Sequence, residues 1–184
     1  MHKIFPCFLF LIFVLSCSKS ETKKIDFKVF EIEVPSQWKK IKISGIDSEV
    51  GAIVTEENDT IHFDYGSYSN SLEENIVIYD REFLKTILTK HPETDTSEMI
   101  IVSDISKVNQ EDFKINKNHY ESISGYNAKI VSPKKSENGL TGIYIDSLGT
   151  SSIGKIKFNL YGLNLNTKNQ KNLLTAIKTI KLKK

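Results

Sequence analysis

His62 and Asp64 are one residue apart in the run Thr60 to Tyr65, with Ile61, Phe63 and Tyr65 in the alternate places. The two-residue period of a strand puts the imidazole and the carboxylate on one face and the three large apolar side chains on the other. Such a pair can supply two ligands to a divalent metal. A third would have to come from His91, His119 or a loop acid, and no spacing ties any of them to the pair. The plainer reading is the solvated face of a half-buried hairpin, so no metal is assigned. Trp38, Tyr65, Tyr68 and Tyr144 offer ring faces, and Asn70 and Asp64 offer polar groups, for stacking on and bonding to a glycan or peptide. The competing use puts Trp38 in the core and the tyrosines along a sheet edge. Trp38, His62, Asp64, Tyr65, Tyr68 and Asn70 together form the candidate ligand or partner surface.

Catalysis finds little to work with. There is no G-x-S-x-G elbow, and the serines beside or near glycine (Ser44, Ser124, Ser152) have no partner close in sequence. The acidic pairs Glu56-Glu57, Glu73-Glu74 and Glu111-Asp112 sit in polar stretches and read as solvated carboxylates rather than a tuned acid and base. No catalytic residue and no cofactor are assigned, and the chain is expected not to be an enzyme. A formal charge of +2, with Arg81 as the single arginine, excludes a polyanion-binding surface. Nucleic-acid sites lean on arginine's planar fork, so no nucleic-acid partner is expected.

The amino terminus carries a different chemistry. Lys3 is followed by twelve uncharged residues, Ile4 to Leu15, and then by Ser16-Cys17. A basic start, an apolar run and a small residue define a secretory signal. Twelve residues make about 18 Å of helix against roughly 30 Å of hydrocarbon, too short to span, and Pro6 interrupts the run. Ending in Val14-Leu15-Ser16-Cys17, the segment resembles a bacterial lipoprotein signal. The strict pattern has Leu where Val14 stands. The resemblance implies diacylglycerol on the Cys17 sulfur, cleavage after Ser16 and acylation of the new amino terminus, and several acyl chains anchor stably where one is marginal. The expected organisation is a signal over 1–16, lipidated Cys17 and tether over 17–24, and one domain over 25–184. With Cys7 removed and Cys17 lipidated, that domain has no disulfide or cysteine metal site, so packing must hold it.

Within the domain, Phe27 to Val34 reads as a strand with Phe30, Ile32 and Val34 on one face, stopped by Pro35. Gly51 to Thr55 and Thr60 to Tyr65 flank the turn Glu56 to Asp59 as a hairpin. Gly66 to Asn75 is loop. Asp80 caps a helix from Arg81 to Lys90 with the stripe Phe83, Leu84, Ile87 and Leu88. Met99 to Val102 and Ile105 to Val108 read as short strands. Gly125 to Ser132, Leu140 to Asp146 and Lys155 to Leu165 form an antiparallel meander through turns at Pro133 to Gly139 and Ser147 to Gly154. Thr167 and Gln170 form a capping box before a helix carrying Leu173, Leu174, Ile177 and Ile180. The fold class is α+β, an antiparallel sheet with a C-terminal and an internal helix packed on it.

A strand leading into Pro35-Ser36-Gln37-Trp38, a meander and a final helix with an Ile-Lys tail resemble the PsbP-like fold. Gly45-Ile46-Asp47-Ser48, Phe63-Asp64-Tyr65-Gly66 with Tyr68-Ser69-Asn70, and Thr141 to Leu148 resemble uncharacterised small lipoproteins of the Bacteroidetes type. These resemblances imply an accessory or binding module, lipid-anchored in the cell envelope with the outer membrane expected. The module is expected to dock on another envelope protein through the loop Gly66 to Asn75 and the sheet face around His62. The alternative is a lipoprotein binding a small ligand, a glycan or a metal. Asp59-Thr60-Ile61 and Asp146-Ser147-Leu148 also resemble that phylum's O-glycosylation tripeptide.

Overall fold

The computed structural model describes residues 21–183; the expected signal, Cys17 and the first part of the tether lie outside the described residues. In chain order the strands are β1 (Thr22–Asp26), β2 (Phe30–Pro35), β3 (Lys39–Lys42), β4 (Glu49–Val54), β5 (Thr60–Gly66), β6 (Ile78–Asp80), β7 (Ile100–Val102), β8 (Asn116–Ile123), β9 (Tyr126–Pro133), β10 (Leu140–Ser151), β11 (Gly154–Leu163) and β12 (Lys181–Leu182). Helix α1 (Arg81–Lys90) follows β6, and α2 (Thr167–Ile177) follows β11. Seven strands make one antiparallel sheet in the order β3-β4-β5-β11-β10-β9-β8. A small sheet, β1-β2-β12, is also antiparallel. The class is therefore α+β, mostly antiparallel sheet with two helices.

Alternation in β2 buries Phe30, Ile32 and Val34. They meet the inner face of the large sheet, which contributes Ile53, Ile61, Phe63, Ile143, Phe158 and Leu160. Helix α2 adds Leu173 and Ile177, so the helix and the small sheet together close one side of the large sheet. The rings of Phe27, Phe30, Phe63 and Phe158 pack with centroids 4.7 to 5.0 Å apart. Each such side chain taken from water contributes roughly 1.5–3 kcal/mol.

Several expectations shift at the edges. Thr22 to Lys24, expected in a tether, are already in β1, with Thr22 paired to Pro35 as its first rung. Of that strand only Ile25 is buried, so Thr22-Lys23-Lys24 carry no apolar signal. Ile105–Lys107 is a 3-10 turn capped by Asp104, since the Asp side chain accepts from Ser106 N and curls the chain. Strand β10 continues through Ser147 to Ser151 after an irregularity between Ile145 and Gly149, leaving a tight turn at Ser152-Ile153. The cap of α2 is Asn166, which accepts from Asn169 N at 2.9 Å, and Thr167 is already helical. Strand β8 makes the meander four-stranded rather than three.

Candidate functional site

Strand β5 fixes the predicted surface residues, and its pleat divides them. His62 and Asp64 face outward while Ile61, Phe63 and Tyr65 pack toward the core. In register, His62 lies between Ala52 and Tyr161, and its ring centroid is 6.1 Å from that of Tyr161. Asp64 faces Asn159 across the strands. Asn159 donates through Nδ2 to the Asn70 carbonyl at 2.9 Å. Thus the structure brings together His62, Asp64 and Asn70 on the outer face and sends Tyr65 to the opposite side.

Trp38 is 1% exposed, its backbone N–H donating to Pro35 O at 3.0 Å, and it plugs the core rather than presenting a face to a ligand. Tyr144 is also buried. The four-ring platform is therefore not assembled; of the predicted aromatics only Tyr68 stands fully in solvent, 69% exposed. Among the described residues no three His, Cys, Asp or Glu side chains gather to hold a metal. His91 and His119 sit beside Glu93 and Glu121 instead, at 3.5 and 2.9 Å. Thr60 is half-buried at the start of β5, while Ser147 is exposed in β10.

The loop Gly66 to Asn75 is a strap across the outer sheet face. Leu72, held at φ 56° with its N–H donating to Asn70 Oδ1, packs on Val131 and Tyr144. Glu73 pairs with Lys129, whose side chain is 4% exposed. The Glu74 carboxylate accepts from Ile115 N, Asn116 N and Asn116 Nδ2 at 2.7 to 2.9 Å. Beneath the strap the Tyr144 hydroxyl donates to Asp146 Oδ1 at 3.0 Å. Burial first, and then that bond, push the phenol up to about 12. The Lys155 ammonium, then the Tyr144 hydroxyl, hold the Asp146 carboxyl below its ordinary range.

Tyr65 has another neighbourhood. Near the end of β5 it lines two hollows. One is an open groove of about 590 Å³ lined by Lys28, Val29, Ile46, Ser48, Ser67, Ser151, Ser152, Ile153 and Ile156 among others. The second, about 360 Å³, is lined by Tyr65, Tyr126, Leu148, Leu182 and Lys183. Gly66 makes the closure possible, because a Cβ there would lie 2.6 Å from Ser48 Oγ. The flanking tips carry Ile46, fully exposed, and Ile153, 62% exposed. Lys28 is paired with Glu49 at 3.2 Å, and Lys183 with Asp26. Of the groove residues, Tyr65 is among the sequence candidates, and Gly66 and Ser67 belong to the loop expected to make the partner contact. A signal was present in Gly45-Ile46-Asp47 and Ser152-Ile153-Gly154: a lone isoleucine among turn formers has no strand period to bury it.

The chain matches no family model and no curated protein.

Proposed function

We propose that this chain is a lipid-anchored protein of the bacterial cell envelope that binds another envelope protein and performs no chemistry of its own. The observation that carries the reading is the gathering of Ile46 and Ile153, both exposed, on adjoining loop tips around one groove. Large exposed apolar groups grouped together mark interaction sites, whereas scattered ones need no explanation. These tips lie toward the opposite end of β1 from where the chain enters the domain. Entry is beside Ser36, whose N–H donates to Glu21 O at 2.9 Å. Strand β1 then runs away from that point toward Lys28, which the ion pair to Glu49 ties to the Ile46 loop. An anchor on Cys17 would hold the entry end near the bilayer and point the tips away from it, toward a partner.

The finer fold reading, PsbP-like, is supported by the Pro35–Trp38 corner after β2, the meander β8 to β11, and the tail Ile180-Lys181 after α2. By that likeness an accessory module is favoured over an enzyme. A second reading, a small ligand bound beside Tyr65, is favoured by the two hollows that share Tyr65 in their lining.

Two measurements in the native host test the main reading. Wild-type chain should fractionate with the outer membrane and take up labelled fatty acid, and Cys17→Ala should do neither; unlabelled wild-type protein in the soluble fraction would overturn the anchor. A photo-crosslinking residue in place of Ile46 or Ile153 should give one discrete adduct with an envelope protein, and one in place of Lys171 on α2 should not. Absence of an adduct at both tips would overturn the docking.

A further inference from the structure

We infer that the groove beside Tyr65 binds a neutral oligosaccharide. This names a ligand for the small-ligand reading above and rests on that reading, in which Ile46 and Ile153 serve the sugar rather than a protein partner. The argument is one of chemical fit. A sugar ring presents hydroxyls around its edge and C–H groups on its faces, so its site needs wet hydroxyl partners beside apolar and aromatic surface.

The groove provides both. Its lining holds Ser67, Ser151 and Ser152 together with Ile46, Ile153 and Tyr65. Ser151 Oγ lies 3.1 Å from the Gly154 carbonyl and accepts from Ile153 N at 3.3 Å. It is also 3.3 Å from Ser67 Oγ, and either hydroxyl can be the donor in that contact. Among the described residues Ser67 Oγ has no other bond within the groove, and it can meet a ligand hydroxyl as donor or acceptor. Tyr65 is half-buried and packed against the core, so its ring is held in place before a ligand arrives.

Charge selects among sugars. Lys28, the cation of the lining, is already engaged by Glu49. Asp47, the remaining carboxylate of the lining, is exposed and has no ion-pair partner among the described residues. An acidic or phosphorylated glycan would meet a carboxylate and no free cation. A neutral one meets an acceptor for its hydroxyls. A plain alkyl chain would offer the serine hydroxyls no further partner and would lie in an opening too wide to enclose it.

The test is saturation-transfer NMR on the full chain purified from cells, with cellotetraose, xylotetraose and chitotetraose as probes. A capped tripeptide of apolar residues is run in parallel. At least one sugar should receive saturation from wild-type protein, most strongly at its ring C–H protons. Ile153→Asp and Ser67→Val, both at exposed or half-exposed positions where folding is safe, should weaken that binding about tenfold or more. Tyr65→Leu should weaken it too, and Lys171→Ala on α2 should leave it unchanged. If the peptide takes up saturation in an Ile153-dependent way and no sugar does, the glycan assignment is overturned while the groove stands as a ligand site. If no probe responds, or if Ile153→Asp and Ser67→Val bind sugar as wild type does, both the assignment and the site fall.

Discussion

Trp38 and Tyr68 look alike in the sequence, two aromatics near turns, yet they answer oppositely to truncation. Trp38 is enclosed by the core formed by β2 and the large sheet. Replacing it with alanine should cost about 3–5 kcal/mol, the range for large aromatic truncations in cores, read as a lowered urea midpoint. Tyr68→Ala should stay within about 0.5 kcal/mol of wild type, as exposed substitutions do. Equal losses would mean that Tyr68 is covered in solution. Tyr144 adds a dependence on pH. Its phenol, ordinarily at 10.0, is pushed up to about 12 by burial and by its bond to Asp146. The folded state thus holds that proton longer than the unfolded chain, so its contribution is full below pH 10.0 and is lost as pH rises through about 12. Asp146 has the opposite sign. Its carboxyl is held below the ordinary 3.8, so its contribution is full above that value and is lost as pH falls through the folded-state pKa. Tyr144→Phe should cost about 1 kcal/mol at neutral pH and should flatten the alkaline limb of a urea-midpoint profile. An unchanged alkaline limb would place the effect on other groups.

At the scale of elements, the parts with a clear hydrophobic period were legible and the parts held by polar ties were not. The hairpin β4–β5 and the Asp80 cap follow from residue spacing and stand where it puts them. The alternation of β2 and the helix α2 are also present, with shifted ends. Strand β2 starts at Phe30 rather than Phe27, because Phe27 N donates to Phe30 O in a tight turn, and α2 ends at Ile177, short of Ile180. Strand β8 was invisible because it is an edge strand reading Asn-Lys-Asn-His-Tyr-Glu-Ser-Ile, with only Ile123 buried. Its register comes from pairing with β9 rather than from its own pattern. The strap was equally opaque. Gly66 to Asn75 holds a single aliphatic residue, Leu72, and it is fixed by Asn70, Glu73 and Glu74 reaching groups distant in sequence. The His62/Asp64 face was therefore readable, while its cover was not. Glu73→Gln should consequently destabilise the fold by on the order of 2 kcal/mol, because Lys129 is left buried without its partner. Adding Lys129→Met should recover most of the loss, a non-additivity visible in a double-mutant cycle. If the two changes simply add, the ion pair is not what fastens the strap. The cap of α2 offers a simpler check on the shifted boundary. Asn166→Ala should cost about 1 kcal/mol, and Thr167→Ala, whose residue is already helical, clearly less.

On the scale of the whole molecule, stability is distributed unevenly, and the unevenness is a prediction about motion. The large sheet, β2 and α2 share one continuous core. The segment β6-α1-β7 does not belong to it. Its two three-residue strands pair only with each other, in parallel. Short, isolated pairs of this kind are marginal in water, and parallel pairs ordinarily sit covered on both faces. Of the stripe expected on α1 only Leu84 is buried, and Phe83 is 55% exposed. Val77, Ile101 and Ile105 are exposed nearby. Little apolar burial therefore opposes local opening here, whereas opening β10 or β11 requires disrupting the core. Native-state hydrogen exchange should show α1 and β7 amides exchanging through local opening, several kcal/mol below the global unfolding free energy, while those at the centre of β10 and β11 exchange near it. The contrast should persist on dilution of the protein. Protection of α1 equal to that of β11, and lost on dilution, would show that a second chain covers this segment. Equal protection independent of concentration would mean that β6-α1-β7 opens only with the core, despite the few side chains it buries there.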